Sequence, residues 1–421
     1  MENNLASAAD GSANAAVNAP YPRSGGYADA GAYRWFALFI VWAAFLLSYI
    51  DRVAWSTVAA PVGASLGLKV AMLGAFVTAF YVGYVIANIA AGVITELIGG
   101  RLTLTFALLP LGVLTFAFGY TSSLMMGIVI QFLMGFAAGA DYSAGMKVIP
   151  AWFRRDRGRA MGIYTTATSL AVVIANATVP SFSLHFGWSR AFHVLGIVTF
   201  LWGVVSLLLL RNSPPSDQAT KRTTGKDMVG LLRNRNLIFL ALAGFGGLWA
   251  TVGFGAWGNA LMTHQYGISP VVAGKIIASF GIGAVIAKPL LGWISDLRGV
   301  SRKWLSVLCL IVFAGLLVAF GQCSTASAFF LIAPVLGAFS FGYLPVLMAQ
   351  ISDASGKRLA GASAGWTNAV WQTGSAVAPL VVGMVYGGTH SFLLALGTLA
   401  IGPVVGAVAM LFVSKQIARG E

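Results

Sequence analysis

Gly92-Val93-Ile94-Thr95-Glu96-Leu97-Ile98-Gly99-Gly100-Arg101 closes one long apolar stretch, and Gly292-Trp293-Ile294-Ser295-Asp296-Leu297-Arg298-Gly299 closes another about 200 residues later. A second correspondence falls at the same offset: Arg157 to Gly162 opens one apolar stretch, and Arg358 to Gly365 opens its counterpart. Two matches at equivalent places mark a chain made of two related halves. In each half an acid and nearby arginines sit at the end of an apolar segment, beside glycines that let the chain turn.

What surrounds these loops is too apolar for a soluble fold of this length. Hydrophobic residues make up 58% of the chain and charged residues 9%, and the mean hydropathy of +0.83 falls in the transmembrane class. About twelve runs reach the length needed for a ~30 Å hydrocarbon core. They are expected near 35 to 60, 71 to 95, 102 to 120, 124 to 150, 159 to 181, 191 to 210, 237 to 262, 270 to 294, 304 to 321, 326 to 350, 360 to 384 and 391 to 413. The polar break from Arg211 to Arg235 separates six of these from six others. The expected organisation is a polar tail over 1–33, a six-helix bundle over 34–210, a linker over 211–236, a second bundle over 237–414 and a short tail over 415–421.

A net charge of +14 raises nucleic acid as a partner, but the cations lie where orientation explains them. With both termini cytoplasmic, only Lys69, Arg190 and Lys275 fall in opposite loops. The Arg154, Arg155, Arg157, Arg159 cluster and the linker group Lys221, Arg222, Lys226, Arg233, Arg235 then obey the positive-inside bias. No nucleic-acid partner is expected. Residues 1–33 have no apolar core, so no cleavable signal peptide is expected. Cys309 and Cys323 read as free thiols, His185, His193, His264 and His390 lack metal-ligand spacing, and no phosphate-cradling Gly-Lys-Ser/Thr loop is present. Neither enzyme chemistry nor a cofactor nor ATP as energy source is expected.

The Gly-x-x-x-Asp/Glu-x-x-Gly-x-Arg loop, repeated in both halves of a twelve-span chain, resembles the major facilitator superfamily over about residues 34 to 414. It departs from the usual form at Glu96 and at Val300-Ser301 before Arg302. The resemblance implies an all-α membrane protein, two pseudo-symmetric six-helix bundles with a substrate site near the midplane between them. Glu96, Arg101, Arg157, Asp296 and Arg298 would form a cytoplasmic latch that pairs in one state and releases in the other.

Ionisable residues inside the spans carry the functional reading. Asp51, Arg52, Asp141, Lys147 and Lys288 lie within apolar runs. A charge at bilayer depth costs about 3 kcal/mol on insertion scales and more in simulations, so such residues usually line a polar path. Cations outnumber carboxylates among them, which points to an anionic cargo. Arg52 offers a planar fork that matches a carboxylate. Asp51 and Arg52 are adjacent, hence about 100° apart on a helix, so one addresses the cavity while the other reaches a second helix. Asp51 is the expected proton-coupling group, with Asp141 as a second proton site or a packing hydrogen bonder.

The Tyr49-Ile50-Asp51-Arg52 run is similar to the anion:cation symporter branch, which includes sugar-acid permeases and vesicular glutamate and sialic acid carriers. That resemblance implies substrate contacts at Tyr49, Arg52, Tyr84, Asn88, Lys147, Asn368 and Gln372. Lys147 stands where the branch carries Arg, and Thr168 where sugar-acid permeases carry Gln, which suggests a less hydroxylated cargo. Lys288-Pro289-Leu290-Leu291-Gly292 resembles the Arg-Pro-x-x-Gly segment of monocarboxylate carriers and adds Lys288 to the candidates. Trp371, beside Gln372, and Tyr343, near Pro345, are the aromatic side chains expected at the cargo. The expectation is a monomer in a bacterial inner membrane that imports a small organic anion, a monocarboxylate or sugar-acid-like molecule, with protons. Exchange without protons, or ligand sensing without flux, are the alternatives.

Overall fold

The computed structural model describes residues 30–69, 72–153, 157–211, 230–297 and 299–414. Most of the two tails and of the linker lies outside them, as do Arg298 and the side chains of Glu96, Arg157 and Asp296. The latch expected there is therefore represented only by Arg101. Its Nε donates to the Leu207 carbonyl at 2.8 Å.

The elements run α1 (Ala30–Thr57), α2 (Ala59–Ser65), α3 (Leu73–Phe118), α4 (Leu124–Ala138), α5 (Asp141–Trp152), α6 (Arg157–Phe186), α7 (Trp188–Leu209), α8 (Arg235–Tyr266), α9 (Pro270–Asp296), α10 (Arg302–Gly321), α11 (Ala326–Thr389) and α12 (Phe392–Leu411). Among the described residues eleven stretches are long and apolar enough to cross a membrane, and Leu73–Asn88 is a shorter apolar helix beside them. At 46 residues α3 would extend ~69 Å if straight, more than twice a bilayer core. It holds two spans, broken at Gly99, whose φ of 83° and ψ of 159° are open only to glycine. The 64-residue α11 likewise contains two, Ala326–Ser355 and Ser363–Thr389. The repeated loop of the first half is thus a hairpin corner compressed to one residue.

Polar caps set several helix starts. Asn234 accepts from the Asn236 and Leu237 amides, and Ser269, Thr325 and Ser391 accept from Val272, Ala328 and Leu394. Each satisfies an amide that the first helical turn leaves without a partner. One break matters for the site: α4 ends at Gly139 and α5 starts at Asp141, which puts a carboxylate at a helix N-terminus inside the bundle.

The halves repeat in their packing as well as their loops. A Cβ at Gly83 of α3 would run into the Phe132 carbonyl of α4, and one at Gly135 into the Phe80 carbonyl. About 200 residues later, Gly283 of α9 meets the Pro334 carbonyl of α11, and Gly337 meets the Phe280 carbonyl. Lipid tails give helices no hydrophobic reason to associate, so close backbone approach at small residues is what joins them. Between the halves, α9 packs on α6 and α11 packs on α3. Here too the contacts are paired: Gly74 sits on the Pro379 carbonyl, and Gly274 sits on the Asn176 carbonyl. One hydrogen bond crosses the seam at this end, and a second, within the second half, fixes the Pro379 carbonyl against which Gly74 packs. Asn259 Nδ2 donates to Asn176 Oδ1 at 2.7 Å, and Trp257 Nε1 donates to the Pro379 carbonyl at 2.8 Å.

Candidate functional site

A central cavity lies between the halves. Its chamber nearer the chain termini spans about 640 Å³ and the chamber beyond it about 510 Å³, both volumes counting space open to solvent. Tyr49, Arg52, Tyr81, Val252 and Phe341 line both, so Arg52 stands where the two meet. The first chamber is the more polar, with Tyr84, Tyr142, Thr168, Lys288, Asn368, Trp371 and Gln372 in its wall. Valines 53, 77, 172 and 252, with Ile277, dominate the second, relieved by Ser56, Asn176 and Thr251.

Helical spacing explains how these side chains converge. Tyr49, Arg52, Val53 and Ser56 follow an i, i+3, i+4, i+7 pattern and form one face of α1. Asn368, Trp371 and Gln372 form the equivalent face of α11. Asp51 falls off the α1 face and turns to α7, where its Oδ2 accepts from Thr199 Oγ1 at 2.7 Å. It is 1% exposed and does not line the cavity.

Arg52 is held by rings. Its guanidinium carbon lies 4.2 Å from the Tyr84 ring centre, 4.8 Å from Tyr49, 5.3 Å from Phe80 and 5.7 Å from Tyr81. Such faces attract a cation, and the Tyr81 and Tyr84 side chains also interact with it by hydrogen bonding. Nε and Nη2 are buried and have no hydrogen-bond partner. The carboxylate that acts on it electrostatically is Asp141, 1% exposed. Asp141 accepts from Ser48 Oγ at 2.5 Å and from the Tyr142 amide at the start of α5. The helix N-terminus favours negative charge there.

Lys288 approaches from the other half. Its Nζ donates to Thr168 Oγ1 at 2.7 Å and lies 4.7 Å from the Phe341 ring centre. Trp371 is held in the wall by its own Nε1, which donates to the Leu240 carbonyl at 3.3 Å.

Three expected contacts are placed elsewhere. Lys147 donates to the Thr95 carbonyl at 2.9 Å and does not line either chamber. Tyr142 carries the cavity face of α5, and five residues further on a helix has turned by about 140°. Tyr343 is fully buried, stacked on Phe313 with its hydroxyl 3.4 Å from Thr251 Oγ1, and the cavity residue is Phe341, about 200° away on the helix. Asn88 bonds back to the Tyr84 carbonyl at 3.3 Å and is absent from the lining. Tyr81 and Tyr142 are aromatic lining residues that the expected set did not include, and Phe341 takes the place expected of Tyr343. The signal for Tyr81 was its spacing of three from Tyr84; for Phe341 it was the i, i+3, i+7 set with Leu344 and Met348.

Two repeated helical bundles around a central polar cavity, in a chain this apolar, define a multi-pass membrane transporter. The sequence matches the Major Facilitator Superfamily over residues 40–379 and 254–419. The chain belongs to that superfamily and is a transporter, not an enzyme. It is 23% identical to the membrane sensor protein UhpC of Escherichia coli (strain K12), over 81% of this chain and 83% of that protein. It is equally identical to the probable galactarate/D-glucarate transporter GarP of the same organism, over 92% of this chain and 96% of that one. Identity reaches 26% with the hexuronate transporter of Bacillus subtilis (strain 168), covering 82% and 86%. The fold is that of a bacterial homologue of the human lysosomal transporter Spinster, solved inward-facing and occupied, with a TM-score of 0.78 at 14% identity over 91% of this chain and 97% of that one.

Proposed function

We propose that the chain is a secondary transporter that imports a small organic anion together with protons, by rocking its two halves about the central cavity. The observation that carries this reading is Arg52, a cation held by four aromatic rings at the junction of the two chambers, with two donor nitrogens, Nε and Nη2, unused. A guanidinium in that condition offers a carboxylate a bidentate seat. Relatives named for galactarate, glucarate and hexuronate support an acid as the cargo. Tyr49, Tyr84, Asn368, Trp371 and Gln372 would contact the remainder of the molecule.

For proton coupling the favoured residue is Asp141 rather than Asp51. Asp141 is the carboxylate acting on Arg52, so an anion arriving at Arg52 would compete with it and favour its protonation. Asp51 faces Thr199, where it ties α1 to α7. Both termini on the cytoplasmic side of a bacterial inner membrane, a monomeric state and a latch between the repeated loops complete the reading; the charge bias supports the orientation and the repeat supports the latch. Arg52 alone suffices for a monocarboxylate, and Lys288 raises the number of anionic groups the cavity can hold.

The test is uptake by proteoliposomes containing the purified chain, from a panel of labelled carboxylates, with and without an inward proton gradient. Gradient-dependent accumulation of an acid is expected. Counterflow indifferent to pH would make the protein an exchanger, and binding without flux would make it a sensor. Failure of every carboxylate to bind would overturn the reading.

A further inference from the structure

Among the described residues no carboxylate pairs with Lys288. Among those same residues its Nζ has one hydrogen-bond partner, a neutral hydroxyl, and one aromatic face. Thr168 Oγ1, which receives that bond, also lies 3.1 Å from the Thr165 carbonyl and donates to it. The amine therefore meets a hydroxyl whose proton is already committed. An ammonium has three donors, and at a half-buried position a single neutral acceptor leaves it under-satisfied. Such a group is stable there only if water or a ligand supplies the rest.

Its position says which ligand. Lys288 comes from α9 in the second half and Arg52 from α1 in the first, and both line the same chamber. No carboxylate appears among the described residues of that wall. Tyrosines, an amide pair, a tryptophan and a threonine fill the space between, which suits a polar backbone with an anionic group at each end.

We propose that the cavity takes a two-headed organic anion, a dicarboxylate, with one carboxylate on Arg52 and the other on Lys288. The proposal rests on the transporter reading above and narrows it from one anionic group to two. Because the seats belong to different halves, the bound dianion joins them across the seam. It replaces Thr168 as the partner of Lys288 and so exchanges a protein-to-protein link for one that travels with the cargo. Lys288 becomes the residue that discriminates a dicarboxylate from the corresponding hydroxy acid.

The experiment uses the full-length purified chain and three matched pairs that differ only in one terminal carboxylate or hydroxymethyl group: galactarate and galactonate, tartrate and threonate, succinate and 4-hydroxybutyrate. Binding is read by calorimetry in the native chain, in Lys288→Gln and in Thr168→Val. Glutamine can still donate to Thr168 but carries no charge, so it separates the anion seat from the structural link. In the native chain the dicarboxylate of at least one pair is expected to bind on the order of 30-fold more tightly than its partner, the low end of what loss of one partner from a buried charge pair usually costs. Lys288→Gln should erase that ratio while leaving the monocarboxylate affinity within about threefold, and Thr168→Val should preserve the ratio.

The proposal falls if matched partners bind alike in the native chain, if no dicarboxylate binds, or if Lys288→Gln weakens both members of a pair equally, which is the signature of a merely structural link. The transporter reading fails separately, when neither kind of carboxylate binds and substitution of Arg52 changes nothing.

Discussion

Arg52→Lys is the sharpest perturbation of the site because it keeps the charge and removes the fork. The guanidinium lies 4.2 Å from one tyrosine ring centre and within 5.7 Å of three further rings, so a lysine ammonium among the same faces retains most of the cation–π attraction. Asp141 still finds a positive partner, and the bundle should fold. What disappears is the second of two parallel N–H donors, those at Nε and Nη2 that have no partner in the protein. A hydrogen bond to a charged group contributes about 1.5–3 kcal/mol, which converts to a loss of roughly 10- to 150-fold in affinity. Arg52→Met, close in length but uncharged, should abolish carboxylate binding. Calorimetric titration of detergent-purified protein with the preferred carboxylate reads both changes, and gel filtration confirms that each variant is folded. An Arg52→Lys affinity within about threefold of the native value, together with retained binding in Arg52→Met, would refute the fork as the anion's anchor.

Asp141→Asn should retain substrate counterflow yet lose accumulation under a proton gradient, while Asp51→Asn should retain both; the reverse pattern in proteoliposomes would return the coupling role to Asp51. Asn259→Ala removes the 2.7 Å amide bond that holds the seam at the end far from the termini. Its cost of about 1 kcal/mol should shift the equilibrium roughly fivefold toward opening at that end, read as faster labelling of a cysteine introduced at Ser56 by an impermeant thiol reagent. Unchanged labelling would mean the bond does not gate the cavity. Gly83→Ala and Gly283→Ala each press a methyl into a neighbouring backbone carbonyl, and each should cost about 1–3 kcal/mol of stability. Thermal melting should show similar losses for the two, and a large loss in one alone would contradict the equivalence of the paired crossings.

The repeat, the long apolar runs and the one long polar break were legible in the sequence because each depends on composition over many residues. The site was legible only where helical phase could be fixed. On α1 the adjacency of Asp51 and Arg52 indicated that one faces the cavity and the other a second helix, since neighbours lie about 100° apart. On α5 no comparable marker existed. The break at Gly139–Ala140 resets the phase of that span, and with it the choice between Tyr142 and Lys147. On α11, Phe341 and Tyr343 are two residues apart and on nearly opposite faces, and the residue with the hydroxyl looked the better ligand. Its hydroxyl lies beside Thr251 instead, in a pocket left open by Gly247. Chemistry drew attention to residue types of the kind that line the cavity, but rotation about each helix axis depends on packing partners that no single segment contains.

Placement of the two cations on opposite halves has a consequence for how binding is tied to movement. Each bundle carries charge that its own residues leave incompletely answered: Arg52 has donors to spare, and Lys288 has only a threonine. Closing the cavity without cargo would strip water from both and leave them facing each other in a medium where charges interact strongly. Closing it around a dianion replaces that water with two carboxylates and turns repulsion across the seam into attraction. The occluded state is thereby disfavoured when empty and favoured when loaded, which is the differential binding a ligand needs to shift a conformational equilibrium. If this is the mechanism, Lys288→Gln should do more than lower affinity. By removing one of two facing cations it should make the empty carrier easier to occlude, so spacing across the seam, measured between spin labels on the two halves without substrate, should shift toward the closed distance. An unchanged empty-state distribution in Lys288→Gln would show that repulsion between these two groups does not hold the unloaded cavity open.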